Sequence, residues 1–200
     1  MLSEAFRSLV KPMETVHRFI WMAFIAAVPI DVCILYTQLV WTAPGVMPGG
    51  SNFFTISLVV LSLLAALLAP YMPGLLLSDS RLRQFLAQQP DPEAMARNYQ
   101  TGKVDEDRLA RIKTISPDEQ RLLALVPYFF VGFIVRLAFN ESIALYGFVL
   151  AFFSRSFVAI LPFAMISLIL NWTVPFPLDS ALDRAASLGL KLGDIPAQPR

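Results

Sequence analysis

The length of its uncharged apolar runs constrains this chain more than any other feature. Phe53 to about Leu77 carries no charge, and Phe19 to Trp41 carries only Asp31. A soluble core does not need such runs, whereas a helix needs ~20 apolar residues, at ~1.5 Å of rise each, to cross a ~30 Å hydrocarbon layer. Two further runs follow. Tyr128 to Phe153 is interrupted by Arg136, Asn140 and Glu141, and Phe157 to about Val174 has no charge. The pattern predicts an all-α polytopic membrane protein with four transmembrane helices in two hairpins. Only 16% of the 200 residues are charged, against about a quarter in soluble domains.

The predicted organisation is a single membrane domain over 1–200, with spans at 19–41, 53–77, about 122–153 and 157–174. A mixed-charge cytoplasmic loop, 78–121, joins the hairpins, and a tail, 175–200, follows. The first run is longer than a signal-peptide core and contains Pro29, Asp31 and Gln38, so a retained helix is the expectation. An uncharged Pro- and Gly-rich turn, Ala43 to Gly50, joins the first pair. Mixed charge makes the loop a solvated connector. Within it, Ser80 to Gln88 places Leu82, Phe85 and Leu86 on one side of a short helix. Asp105 to Lys113 does the same with Leu109 and Ile112.

Ser116-Pro117-Asp118-Glu119 reads as a helix start. The serine caps, the proline fits the first turn, and the glutamate completes a capping box. The helix that begins there meets Pro127, where a kink is expected. Ser154-Arg155-Ser156 is the predicted turn into the last span. A turn at Asn140-Glu141-Ser142 is the alternative, but it makes worse span lengths and leaves Arg155 in mid-membrane.

Lysine and arginine set the orientation. The first external turn has none and the second only Arg155, while the N-terminal segment, loop and tail carry the rest apart from Arg136. By the positive-inside rule both termini and the loop face the cytoplasm. The expected location is the bacterial inner membrane.

Charges within the spans are the candidate site: Asp31, Arg136, Asn140 and Glu141. Each costs on the order of 3 kcal/mol in lipid by insertion scales, so all should face the bundle interior. Arg136 and Glu141 are five residues apart, ~140° around one helix, so they do not stack, whereas Asn140 shares the arginine's face. An interhelical Asp31–Arg136 bridge is the easier pairing and leaves Glu141 freer to titrate. Two readings follow, a buried bridge that fixes helix register and a proton or ion site. A faint internal echo relates Asp31–Tyr36 to Glu141–Tyr146 in acid, leucine and tyrosine spacing. A duplicated hairpin would produce it.

The third run, Leu137-Ala138-Phe139-Asn140-Glu141-Ser142-Ile143-Ala144-Leu145-Tyr146-Gly147-Phe148, resembles the carboxylate helix of rotary-ATPase c subunits (proteolipids). The resemblance implies that Glu141 is an ion-carrying carboxylate. It covers less than a tenth of the chain. In that family the acid lies on the second helix of a hairpin, whereas here it opens one. Arg136 and the long loop are additions, and a glycine-rich first helix is missing. Arg136, Ala138, Glu141, Leu145, Tyr146 and Gly147, with Pro177 and the tail behind it, are similar to small uncharacterised bacterial four-helix membrane proteins. That likeness covers the last third and implies a fold without an activity.

Several function classes recede. Formal net charge is +1, so no basic field argues for nucleic acid. The single cysteine, Cys33, and single histidine, His17, do not build a usual zinc site. No nucleophile–base pair or Gly-rich phosphate loop occurs, so neither an enzyme nor a cofactor is expected. Asn140-Glu141-Ser142 and Asn171-Trp172-Thr173 match the glycosylation sequon by chance. Ser57, Ser62, Ala65, Ala66 and Ala69 suit close helix packing in the second span. The leading expectation is a non-enzymatic helix bundle acting as a subunit or accessory of a larger membrane assembly. Its partners are lipids and other membrane subunits or its own copies. The alternative is proton or ion handling by Glu141 with Asp31 and Arg136.

Overall fold

The computed structural model describes residues 2–41, 52–71, 78–88, 90–98 and 101–188. The turn at 43–50, the end of the second run beyond Tyr71 and the tail beyond Leu188 lie outside these. The described residues form helices α1 (Glu4–Trp41), α2 (Asn52–Leu68), α3 (Asp79–Ala87), α4 (Pro92–Ala96) and α5 (Glu106–Thr114). The long α6 (Pro117–Ser154), a 3-10 turn (Phe157–Ile160), α7 (Leu161–Trp172) and α8 (Pro177–Ser187) complete the order. An isolated antiparallel β-bridge pairs Arg97 with Val104. It closes a turn in which Gly102 takes a positive φ of 69°, a region that glycine enters without steric cost.

Two helices, α1 and α6, are long and apolar enough to cross a membrane, and a third candidate arises if Phe157–Trp172 and Pro177–Ser187 count as one broken span. The apolar stretch Phe53–Leu68 is shorter. Helix α6 runs through Asn140-Glu141-Ser142 without a break and through Pro127, so the alternative turn within it is excluded. It ends where the sequence places its turn. Arg155 adopts a φ of 50°, Ser156 N–H donates to the Ala151 carbonyl at 3.1 Å, and Arg155 N–H donates to that of Phe152 at 3.4 Å. This is a Schellman closure with arginine in the position glycine usually takes.

The chain divides into two compact units. The first draws on Met1–Arg18, Leu77–Val131 and Pro175–Arg200, the second on Phe19–Leu76 and Gly132–Val174.

The first unit has its own apolar core. Phe6 and Val10 of α1, Ile112 of α5, Leu122 and Val126 of α6, and Ala181 and Ala185 of α8 are buried together. The loop is therefore more than a solvated connector, because Ile112 is fully buried and Leu82 of α3 is 2% exposed. Phe85 meets Tyr128 edge to face at 5.2 Å, and Asp79 pairs with Arg184. Asp105 caps α5 by accepting from Arg108 N–H at 3.0 Å. The capping box forms as the sequence indicates: Ser116 Oγ accepts from Glu119 N–H at 3.3 Å, and Glu119 Oε2 accepts from Ser116 N–H at 3.0 Å. The other oxygen of Glu119 reaches further and accepts from Ser3 N–H at 2.6 Å. Ser3 in turn caps α1 by accepting from Phe6 N–H at 3.1 Å. His17 is buried and stacks on Phe130 with ring centroids 4.5 Å apart.

In the second unit the helices pack through stripes of small side chains. On α2 and the turn that continues it, the buried positions are Leu58, Ser62, Ala65 and Ala69, spaced four, three and four apart, which is one face of a helix. The Ser62 hydroxyl donates to the Leu58 carbonyl at 2.8 Å, so it packs without leaving a polar atom unpaired. Gly147 of α6 lies against Phe163 of α7. Large apolar side chains, among them Phe53, Ile56, Leu63, Leu67, Met165 and Ile169, point outward, the inverse of a soluble protein's surface and the arrangement that lipid requires.

A buried carboxyl cluster as candidate functional site

Three stripes converge to make the site in the second unit. On α1, Val28 and Leu35 are buried, and Asp31 lies between them on the same face, as 3.6-residue periodicity requires. On α6 the buried face runs Leu137, Asn140, Glu141, Ala144, Ala151. On the 3-10 turn and α7 it runs Ile160, Ala164, Ser167, Asn171, and continues to Val174. Small residues at 144, 151 and 164 let the backbones approach, and the polar side chains at 141, 167 and 171 are carried inward with them.

The degree of burial is high. Asn140 is 1% exposed, Glu141 9%, and Ser167 and Asn171 are fully buried. Both carboxylate oxygens of Glu141, both side-chain atoms of Asn140 and of Asn171, and the Ser167 hydroxyl have no hydrogen-bond partner within the protein. The Asp31 and Glu141 carboxyls are close enough to repel one another. The Asn171 amide lies beside Glu141 without closing a hydrogen bond of full geometry. Its main-chain carbonyl is already taken by Trp21, whose indole N–H donates to it at 2.9 Å. Trp21 also packs on Trp172, with ring centroids 5.3 Å apart.

Of the four sequence-predicted site residues, the structure brings Asp31 and Glu141 together and buries Asn140 beside them. Arg136 is half-buried and makes no ion pair with either acid, unlike Arg121 and Arg184, which pair with Asp118 and Asp79. The expected Asp31–Arg136 bridge is therefore absent. The reason lies in the helix: five positions rotate Arg136 ~140° away from Glu141, and Asp31 lies within electrostatic range of the glutamate rather than in contact with the guanidinium. Sequence reasoning missed Ser167 and Asn171. Asn171 was visible only as part of a sequon, yet its spacing from Ala164 and Ser167, seven and four residues, already put it on one helical face with them.

Among the described residues no three His, Cys, Asp or Glu side chains group as a metal-binding set. The cluster is thus one of two acids supplemented by neutral oxygens. Compared with known proteins, the chain matches no family model, no curated protein and no solved structure.

Proposed function

We propose that this chain is a non-enzymatic integral membrane protein, four spans in two hairpins, that works as a subunit or accessory of a larger membrane assembly. On this reading it lies in the bacterial inner membrane with both termini and the loop in the cytoplasm, an orientation supported by the placement of lysine and arginine.

One observation carries the association reading. The most apolar stretch of α1 buries only 11% of its residues within the protein, against 39% for α6. Its outward face mixes large apolar side chains, Phe19, Met22, Ile30 and Ile34, with small ones. Ala23, Ala26, Cys33 and Thr37 are exposed there, on the opposite side of the helix from Val28 and Leu35. Small residues along one face of a membrane helix permit close approach of another helix, and packing gained in this way drives association where the hydrophobic effect cannot.

The test is extraction in a gentle detergent followed by affinity capture and mass measurement of the intact particle. Another membrane protein is expected to be retained, and Ala23→Phe/Ala26→Phe, which crowds the outward face alone, should release it. Recovery of a bare monomer or homodimer sinks the assembly reading.

A further inference from the structure

We propose that Asp31, Glu141, Ser167 and Asn171 form a binding site for a hard metal cation, held by carboxylate, amide and hydroxyl oxygens that take the place of its hydration shell. The inference goes beyond the association reading and does not depend on it.

Buried polar side-chain atoms nearly always have partners, and an exception calls for a physical reason. Here the exceptions gather. Glu141, Ser167 and Asn171, each more than nine-tenths buried, offer side-chain atoms that nothing in the protein pairs with. They come from two elements, α6 and α7, and α1 brings Asp31 to within electrostatic contact of Glu141. Ser167 and Asn171 are one helical turn apart on one face, so hydroxyl and amide are presented in sequence along the same wall. Chance burial of one polar side chain would not produce this convergence.

The chemistry of the donors selects the ligand. All four residues supply oxygen, and no thiolate or imidazole is among them. Oxygen-only sets suit hard cations such as sodium, potassium, calcium and magnesium, while softer ions such as zinc favour sulfur and nitrogen. The sign of the site also points one way. Two carboxyls lie within electrostatic range of each other and Arg136 pairs with neither. A buried acid left without a positive partner is destabilising, so a bound cation would strengthen the fold as well as fill the site. The Asn171 carbonyl is held by Trp21, which fixes the main chain and leaves the side-chain amide to orient toward the carboxyls. Monovalent and divalent ions share this oxygen chemistry, and the experiment separates them.

The full chain, purified in detergent, is heated in choline chloride and in chloride salts of sodium, potassium, calcium, magnesium and zinc at matched ionic strength. A ligand that binds only the folded state raises the unfolding midpoint with its concentration. One hard cation should raise it saturably, and more at alkaline pH, where protons compete less for the carboxyls. Glu141→Gln should abolish the shift. Ser167→Ala, which removes one neutral oxygen and little volume, should weaken ion affinity by about tenfold, a loss typical of one group around a bound metal. If Glu141→Gln does not fold, equilibrium binding of the radioactive ion to the wild type and to Ser167→Ala replaces that arm. Equal midpoints in choline and every hard cation overturn the proposal, as does a response to zinc alone or a shift that survives Glu141→Gln undiminished.

Discussion

At the scale of the residue, Glu119 does more than its motif implies. As the third helical residue of α6 it closes a capping box, and the same carboxylate accepts the Ser3 amide ahead of α1. Burial alone would raise its pKa, but hydrogen bonds from the main chain and side chains of Ser3 and Ser116 outweigh it and hold the group below its ordinary value of 4.5. A carboxyl with a lowered pKa in the folded state leaves the unfolded chain holding more protons in acid. Its contribution is complete above about pH 4.5 and is lost as pH falls through the folded value. Glu119→Gln should cost about 1.5–3 kcal/mol at neutral pH, the range for hydrogen bonds to charged groups. It should also flatten the acid limb of stability below pH 4.5. Thermal unfolding of both proteins between pH 3 and 7, with ~3 as the lowest point compared, checks both; parallel acid limbs would remove Glu119 from this role.

At the scale of the element, what was legible is what local chemistry decides. The capping box at Ser116, the turn at Ser154-Arg155-Ser156 and the two amphipathic loop helices are written in a few adjacent residues and appear where expected. The start of α1 was not read. Its helix begins at Glu4 rather than near Phe19, because Arg7, Lys11 and Arg18 hide an apolar stripe at Phe6, Val10, Met13 and His17 that has helical spacing. The Asp31–Arg136 bridge failed for a different reason, since partner choice between helices depends on how their faces meet. The same limit applies to Gly147, whose neighbour no sequence pattern announces: a Cβ there would come within 2.7 Å of Phe163 Cγ and closer still to its Cβ. Gly147→Ala should therefore lower stability by about 1–3 kcal/mol, the usual cost of overpacking. Phe163→Ala should give little rescue because the nearest atom, the Phe163 Cβ, remains. A thermal midpoint for Gly147→Ala equal to wild type would show that α6 and α7 are not in contact there.

At the scale of the whole molecule, the helical class was plain from apolar run length, and the described residues are helical throughout their regular structure. The division into two units was not plain, because the first unit is built from three stretches far apart in sequence, and no local pattern announces that they share a core. The proposed topology gives a direct test. In a Cys33→Ser background, a thiol at Ser156 or Gly49 should be labelled by an impermeant reagent from outside the cell. A thiol at Gly102 should be labelled only after the membrane is opened. Labelling of Gly102 from outside inverts or breaks the arrangement.

The first unit's core also sets an order of events during synthesis. Phe6 and Val10 leave the ribosome before Ile112 and Leu122, and these before Ala181 and Ala185, yet all are buried against one another. No length of chain that lacks α8 can close that interior, since its last wall is translated after the last apolar run. A stalled or clipped product that lacks α8 holds Phe6, Val10 and Ile112 open to water, a surface on which chaperones and proteases act. Synthesis of α8 and closure of the first unit's core are thereby tied together, and a chain without α8 is recognisable by the greasy face it cannot cover.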